Sequence, residues 1–184
     1  MDCGPWTKSM FLKNDTIYLR ALESSDLDFL YTLENDVAVW RVSNTVAPFS
    51  REVLQQYLNQ AALDIYTTKQ LRLVICTNKE ERIGTIDLFD FEPLHRRAGV
   101  GIIILTSYQR QNFASQALQL LLNYSSEYLL LHQVYCSIAT NNTASLQLFQ
   151  KFNFHIIGKR LQWLKTKTGW VDVWDLQKLL PNQA

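Results

Sequence analysis

Hydrophobic positions along the chain change period several times, and each change marks an expected element. Thr16 to Leu22 alternates as a half-buried strand does. After Ser24 and Ser25, either of which suits a helix cap, Leu27, Leu30, Tyr31 and Leu33 form a helical stripe that ends near Asn35-Asp36. Val37 to Pro48 is polar and aromatic, carries Trp40 and shows no period, so it reads as a long connection of the kind that often carries function. Ser50 opens a second helix with Val53, Leu54, Tyr57, Leu58, Ala61 and Ala62 inward. Leu71 to Thr77 and Arg82 to Phe91 are strands about an Asn78-Lys79-Glu80-Glu81 turn, and Pro93 to Arg97 is a loop. Val100 to Leu105 is an apolar, β-branched run and therefore a buried strand. A polar turn, Tyr108 to Asn112, leads from it into a helix with Ala114, Ala117, Leu118, Leu121 and Leu122 on one face. Val134 to Ala139 is a further strand, and Asn141-Asn142 caps a last helix. Ile156 to Leu164 and Gly169 to Leu179 make a final hairpin about Lys165–Thr168. The expectation is an irregular arm over 1–14 and one α+β domain over 15–180.

Composition narrows the function classes. At 184 residues, 47% apolar and 19% charged, the chain can bury a full core. A formal net charge of +1 argues against a nucleic-acid partner held by bulk electrostatics. No apolar run approaches the roughly 18 residues of a membrane span, so no membrane partner is expected. The opening MDCGPWTKSMFLKN lacks the apolar core of a secretory signal. Cys3, Cys76 and Cys136 are scattered, which favours buried free thiols and a cytoplasmic location. No His/Cys/Asp cluster has metal spacing, so no metal is expected. The strand–turn–helix from Val100 to Ala114 is different. Its first amides point out unpaired and the helix dipole adds roughly half a positive charge, so the expected ligand carries phosphate.

The order strand, two helices, three strands, helix, strand, helix, two strands resembles the GNAT superfamily of acetyl-CoA-dependent N-acetyltransferases over about Thr16 to Leu179. Gln109-Arg110-Gln111-Asn112-Phe113-Ala114 falls in register with that family's Gln/Arg-x-x-Gly-x-Gly/Ala pyrophosphate loop. Asn142 to Phe154 matches its second signature, which starts with Asn and ends near Gly-Phe. Leu19-Arg20, Ser25-Asp26-Leu27, Glu34-Asn35-Asp36, His95-Arg96-Arg97-Ala98 and Trp170-Val171-Asp172-Val173 resemble the branch holding spermidine and ribosomal-protein N-terminal acetyltransferases. The resemblance implies a mixed, largely antiparallel sheet of six to seven strands, splayed between two parallel strands and flanked by about four helices.

It also implies site residues. Gln109, Arg110, Gln111, Asn112, Phe113, Ala114 and Ser115 are expected to hold the pyrophosphate of acetyl-CoA. Ile103, Ile104 and Leu105 are expected to hold its pantetheine arm, with Asn142, Ser145 and Phe149 near the thiol. Three positions depart from the family pattern. Asn112 and Asn153 replace glycines, and Asn is one of the few residues that tolerates positive φ. Phe149 stands where many members carry the Tyr that protonates the leaving thiolate; Ser145, one turn earlier, or a water is the expected substitute. Acetylation also needs a neutral amine, although a primary alkylamine has a pKa of about 10.4, so a carboxylate or water must take a proton. The candidate bases are Asp87 and Asp90, which face opposite sides of a regular strand unless a bulge intervenes. Glu34, Asp36, Trp40 and Glu92 are candidates to hold a cationic acceptor. The acceptor is expected to be a polyamine such as spermidine, with a protein N-terminus as the alternative. A non-catalytic acyl-CoA sensor or scaffold stays open, as does a homo-oligomer.

Overall fold

A computed structural model describes residues 12–43, 45–61 and 63–181. Seven strands form one sheet in the order β1-β2-β3-β4-β5-β7-β6. They are β1 (Ile17–Ala21), β2 (Leu71–Thr77), β3 (Arg82–Glu92), β4 (Arg97–Ile104), β5 (Gln133–Ala139), β6 (His155–Thr166) and β7 (Gly169–Leu179). Every neighbouring pair is antiparallel except β4 and β5. The seven strands read from the pattern, and the mixed, largely antiparallel character that the resemblance implies, are both present. Helices α1 (Leu27–Glu34), α2 (Val37–Ser43), α3 (Arg51–Ala61), α4 (Ile65–Thr68), α5 (Phe113–Glu127) and α6 (Thr143–Lys151) complete the described fold.

That makes six helices among the described residues rather than about four. The segment read as a long connection holds α2. Asp36 starts it: its backbone carbonyl accepts from the N–H groups of Val39 and Trp40, and its carboxylate accepts from Ala38 N–H. Seven residues give too few inward positions to establish a period; Val39 is buried there. In α4, four residues are closed by Asp64, whose carboxylate accepts from the N–H groups of Tyr66 and Thr67. The start of α1 also differs from expectation. Ser24 and Ser25 lie in a 3₁₀ turn, and the fully buried Asp26 accepts from Glu23 N–H in their place. Ser50 does cap α3 through Val53 N–H, but Val53 itself faces outward. The expected arm falls mostly outside the described residues, as do Cys3 and Ala62. Its end, Leu12 to Asn14, docks on the body through a Lys13–Tyr18 bridge.

The strand alternation sorts side chains onto two faces. Leu19, Leu73, Ile75, Ile86, Leu88, Val100 and Val134 pack with Ala117, Leu118 and Leu121 of α5 in the main core. Arg20, Arg72, Asp87, Phe89 and Tyr135 alternate with them and face the other side, where Leu30, Leu54 and Leu58 of α1 and α3 make a second, smaller cluster. Cys76 and Cys136 are buried free thiols, as expected.

Candidate active site

The site begins where two strands part. β4 and β5 pair only at Arg97–Gln133, Ala98–Val134 and Gly99–Tyr135. Past Gly99, β4 runs on to Ile104 and β5 to Ala139 with no further pairing between them. The diverging limbs leave backbone N–H and C=O groups along one edge of each strand free to bond an extended ligand as a neighbouring strand would. Ile103 and Ile104 lie on this free limb. Leu105 is just past it, its N–H donating to the Ile83 carbonyl.

At the open end the chain turns through a 3₁₀ turn, Thr106–Tyr108, into α5. Gln109 ties this turn back to β4 by donating from its side-chain amide to the Ile104 carbonyl at 3.0 Å, and Gln111 donates to the Ser107 carbonyl at 3.1 Å. Arg110 and Asn112 both take left-handed conformations, with φ of 60° and 64°. The conformational tolerance of Asn at the glycine position is used here, and again at Asn153, where φ is 61°. The Asn112 side chain does not cap α5. The first N–H groups of a fifteen-residue helix, at Phe113, Ala114 and Ser115, therefore face outward with the dipole behind them. Alternating left-handed residues leading into a helix make a concave nest of N–H groups suited to a diphosphate.

On the β5 limb, Asn142 caps α6, its side-chain oxygen accepting from Ser145 N–H at 3.2 Å. Ser145 is half-buried on the first turn. Phe149 is 3% exposed and packs edge-to-face on Phe154, with ring centroids 4.9 Å apart. It belongs to the core and brings no hydroxyl.

At the closed end, where β4 and β5 are still paired, a cavity of about 660 Å³ opens beside the sheet. A bulge makes it. The β3–β4 register jumps from Phe89–Gly99 to Glu92–Arg97, so Asp90 and Phe91 oppose Ala98 alone. Asp90 is exposed, with φ of 47°. The bulge returns its carboxylate to the face of Phe89 and Tyr135, and the Tyr135 hydroxyl donates to it at 3.4 Å. Asp90 and Glu92 line the cavity with Lys69, Arg97 and the amides of Gln133 and Gln177. Burial first, and then the Asp90 charge, push the Tyr135 phenol above its ordinary range.

The other expected acids are placed differently. Asp87 stands opposite Gly101 on the splayed limb, but Arg72 grips both its oxygens, donating from Nε and Nη2 at 2.6 to 3.0 Å. Arg72 also donates to Glu34 at 2.6 Å. Burial opposes the Arg72 charge; Asp87 and Glu34 outweigh it and raise its pKa. Asp36 is spent on the α2 start, and the Trp40 indole N–H donates to the Glu34 carbonyl at 2.6 Å. Glu34, Asp36 and Trp40 thus hold α1, α2 and β2 together, and none of them lines the cavity. Of the residues lining this cavity, the sequence reading named Asp90 and Glu92 as candidates and did not name Tyr135, Gln133, Gln177 or Lys69. A Tyr at an alternate position of an apolar strand reads as ordinary sheet surface, so only the register reveals it.

The comparisons agree with this geometry. Residues 16–155 match the acetyltransferase (GNAT) domain. The chain is 28% identical to the spermidine N(1)-acetyltransferase of Vibrio cholerae over 141 residues, covering 77% of this chain and 80% of that protein. It is 26% identical to the spermidine N(1)-acetyltransferase of Escherichia coli K12 over 148 residues, covering 78% and 75%. The crystal structure of the Vibrio cholerae enzyme in complex with CoA and spermine superposes with a TM-score of 0.83 at 26% identity, over 91% of this chain and 97% of that one. A dodecameric structure of that enzyme superposes with a TM-score of 0.77 over 91% and 95%. A family match over most of the chain, on a sheet split at β4 and β5 and closed by an uncapped helix, makes this protein a member of the GNAT family of acetyl-CoA-dependent N-acetyltransferases.

Proposed function

We propose that the protein acetylates a primary amine of a polyamine, by direct attack of the amine on acetyl-CoA within a ternary complex. One arrangement carries this reading. The gap between β4 and β5 has an anion nest at one end and a cavity with two carboxylates at the other. The diphosphate sits on the amides of Gln109 to Ser115, with Arg110 adding charge, and the pantetheine arm runs along Ile103 to Leu105. Asn142 and Ser145 flank the thiol end, over a floor that includes Phe149. Asp90 and Glu92 face the amino groups of the acceptor. Asp87, Glu34, Asp36 and Trp40 frame the site and do not touch the acceptor. The spermidine acetyltransferases of similar sequence support a polyamine over a protein N-terminus. Buried free thiols at Cys76 and Cys136 suit a cytoplasmic enzyme.

The protein also assembles from several copies. Leu161, Trp163 and Trp170 are each more than half exposed on the part of the β6–β7 ribbon that extends past β5, and a similar enzyme is dodecameric. The test of the catalytic reading is a mass-spectrometric screen of spermidine, spermine and peptide N-termini with acetyl-CoA. Monoacetylated polyamine with stoichiometric CoA release is the expected result. Acetylation confined to peptides would replace the acceptor, and release from no amine would overturn the reading.

A further inference from the structure

Phe149 has no hydroxyl and is buried against Phe154, so this position of α6 supplies no acid. The group that protonates the departing sulfur must come from elsewhere. Ser145 has a hydroxyl on α6, but among the described residues no base is hydrogen-bonded to it; the hydrogen bond at this residue is made by its backbone N–H to Asn142.

The closed end of the cleft offers a coupled pair instead. Tyr135 is the last residue of β5 that pairs with β4, so its side chain stands where the two strands begin to part. It projects to the cavity face, its ring edge-on to Phe89 at 6.1 Å. Its hydroxyl donates to Asp90, and both line the same cavity. Asp90 gets there through a left-handed conformation at a bulge, which a non-glycine residue holds at some cost where surrounding structure demands it. Gly99, directly opposite Tyr135, is needed there as well: a Cβ on it would lie 2.3 Å from the Phe89 ring that supports Tyr135.

We propose that Tyr135 and Asp90 are the acid and base of the transfer, acting as one proton relay. This rests on the acetyl-transfer reading above and assigns its proton steps. The neutral amine nitrogen attacks the thioester carbonyl carbon, so an N–C bond forms and the C–S bond breaks. The Asp90 carboxylate takes the proton that the nitrogen loses. The Tyr135 hydroxyl gives its proton to the leaving sulfur. Asp90 then returns its proton to the phenolate, and both groups end as they began. The 3.4 Å separation between them is that of a resting site, where catalytic hydrogen bonds are often long.

The test compares wild-type protein with Tyr135→Phe, Asp90→Asn and the double variant, using acetyl-CoA and the best amine from the screen. Tyr135→Phe keeps the ring against Phe89 and removes only the hydroxyl. The expected result is a fall in kcat of about 10²-fold or more in each single variant. Calorimetric affinity for acetyl-CoA and the thermal midpoint stay at wild-type values. The double variant is no slower than the slower single one, as for groups that act as a unit. The alkaline limb of the rate profile is expected to disappear with Tyr135→Phe. The remaining charged groups at the cavity, Lys69 and Glu92 and Arg97, are unchanged in both, while β5 and β7 add the neutral Gln133 and Gln177 and β6 adds Ile157. A Tyr135→Phe enzyme with wild-type kcat, or losses that simply multiply in the double variant, overturns the relay and leaves acetyl transfer standing. Wild-type protein that acetylates no amine removes the reading and the relay together.

Discussion

Two buried ion clusters of opposite polarity show how single residues set the scene. Asp26 is fully buried and lies between Arg20, which donates through both terminal nitrogens at 2.7 Å, and Arg82, whose Nε is 2.6 Å away. Arg72 is the reverse case, one guanidinium between Glu34 and Asp87. Together they fasten the two ends of the segment Ser24–Glu34 to the sheet. Burial acts to raise the Asp26 pKa, but the Arg20 hydrogen bonds, the Glu23 N–H and the two positive charges pull it below the ordinary value. A carboxylate depressed in the folded state stabilises above its unfolded pKa of about 3.9 and loses that contribution as pH falls through its folded value. Asp26→Asn is therefore expected to be less stable than wild type at pH 7. The gap should close in urea titrations carried below about pH 4. A gap independent of pH would show that shape, not charge, matters there. Arg72→Met leaves the buried Glu34 and the partly buried Asp87 without their shared counter-ion and is expected to lose about 3 kcal/mol in the same assay.

At the scale of elements, the start of α5 decides cofactor affinity. Asn112 occupies a left-handed conformation that Gly adopts freely and a β-branched residue resists by about 1–2 kcal/mol. Asn112→Gly should bind acetyl-CoA within a few-fold of wild type by calorimetry. Asn112→Val should bind about tenfold or more weakly, because strain relief there re-aims the amides. Equal affinities would mean that the nest is not the phosphate site. The start of α6 depends on a cap of the ordinary kind: Asn142→Ala should lower stability by about 1 kcal/mol through the lost bond to Ser145 N–H.

For the whole molecule, the β4–β5 split is a gap in an otherwise continuous sheet, and a ligand that fills it completes the pairing. Acetyl-CoA at one hundred times its dissociation constant should stabilise the protein by about 2.7 kcal/mol, seen as a concentration-dependent rise in melting temperature. No helix among the described residues is long and apolar enough to cross a membrane. The β6–β7 ribbon exposes Leu161, Trp163 and Trp170; on the proposed assembly, changing all three to Ser is expected to reduce the sedimentation coefficient. An unchanged coefficient would place the subunit contact on another surface.

Local rules were enough for much of this chain. Alternation and apolar runs located the strands, and for those that face the core this is because a buried strand must present its side chains to it whatever its neighbours are. The nest before α5 was legible because its chemistry lies within a few consecutive residues, and the tolerance of Asn for positive φ is a property of the residue itself. Charge partners and register belonged to the tertiary structure. Asp87 and Asp90 are three residues apart and look alike in sequence. One is bound by Arg72 from a neighbouring strand, and the other is turned by a bulge toward Tyr135, forty-five positions away in the chain. Which carboxylate stays available depends on what the folded sheet sets beside it, because the energy of a charge is decided by its surroundings more than by its own identity.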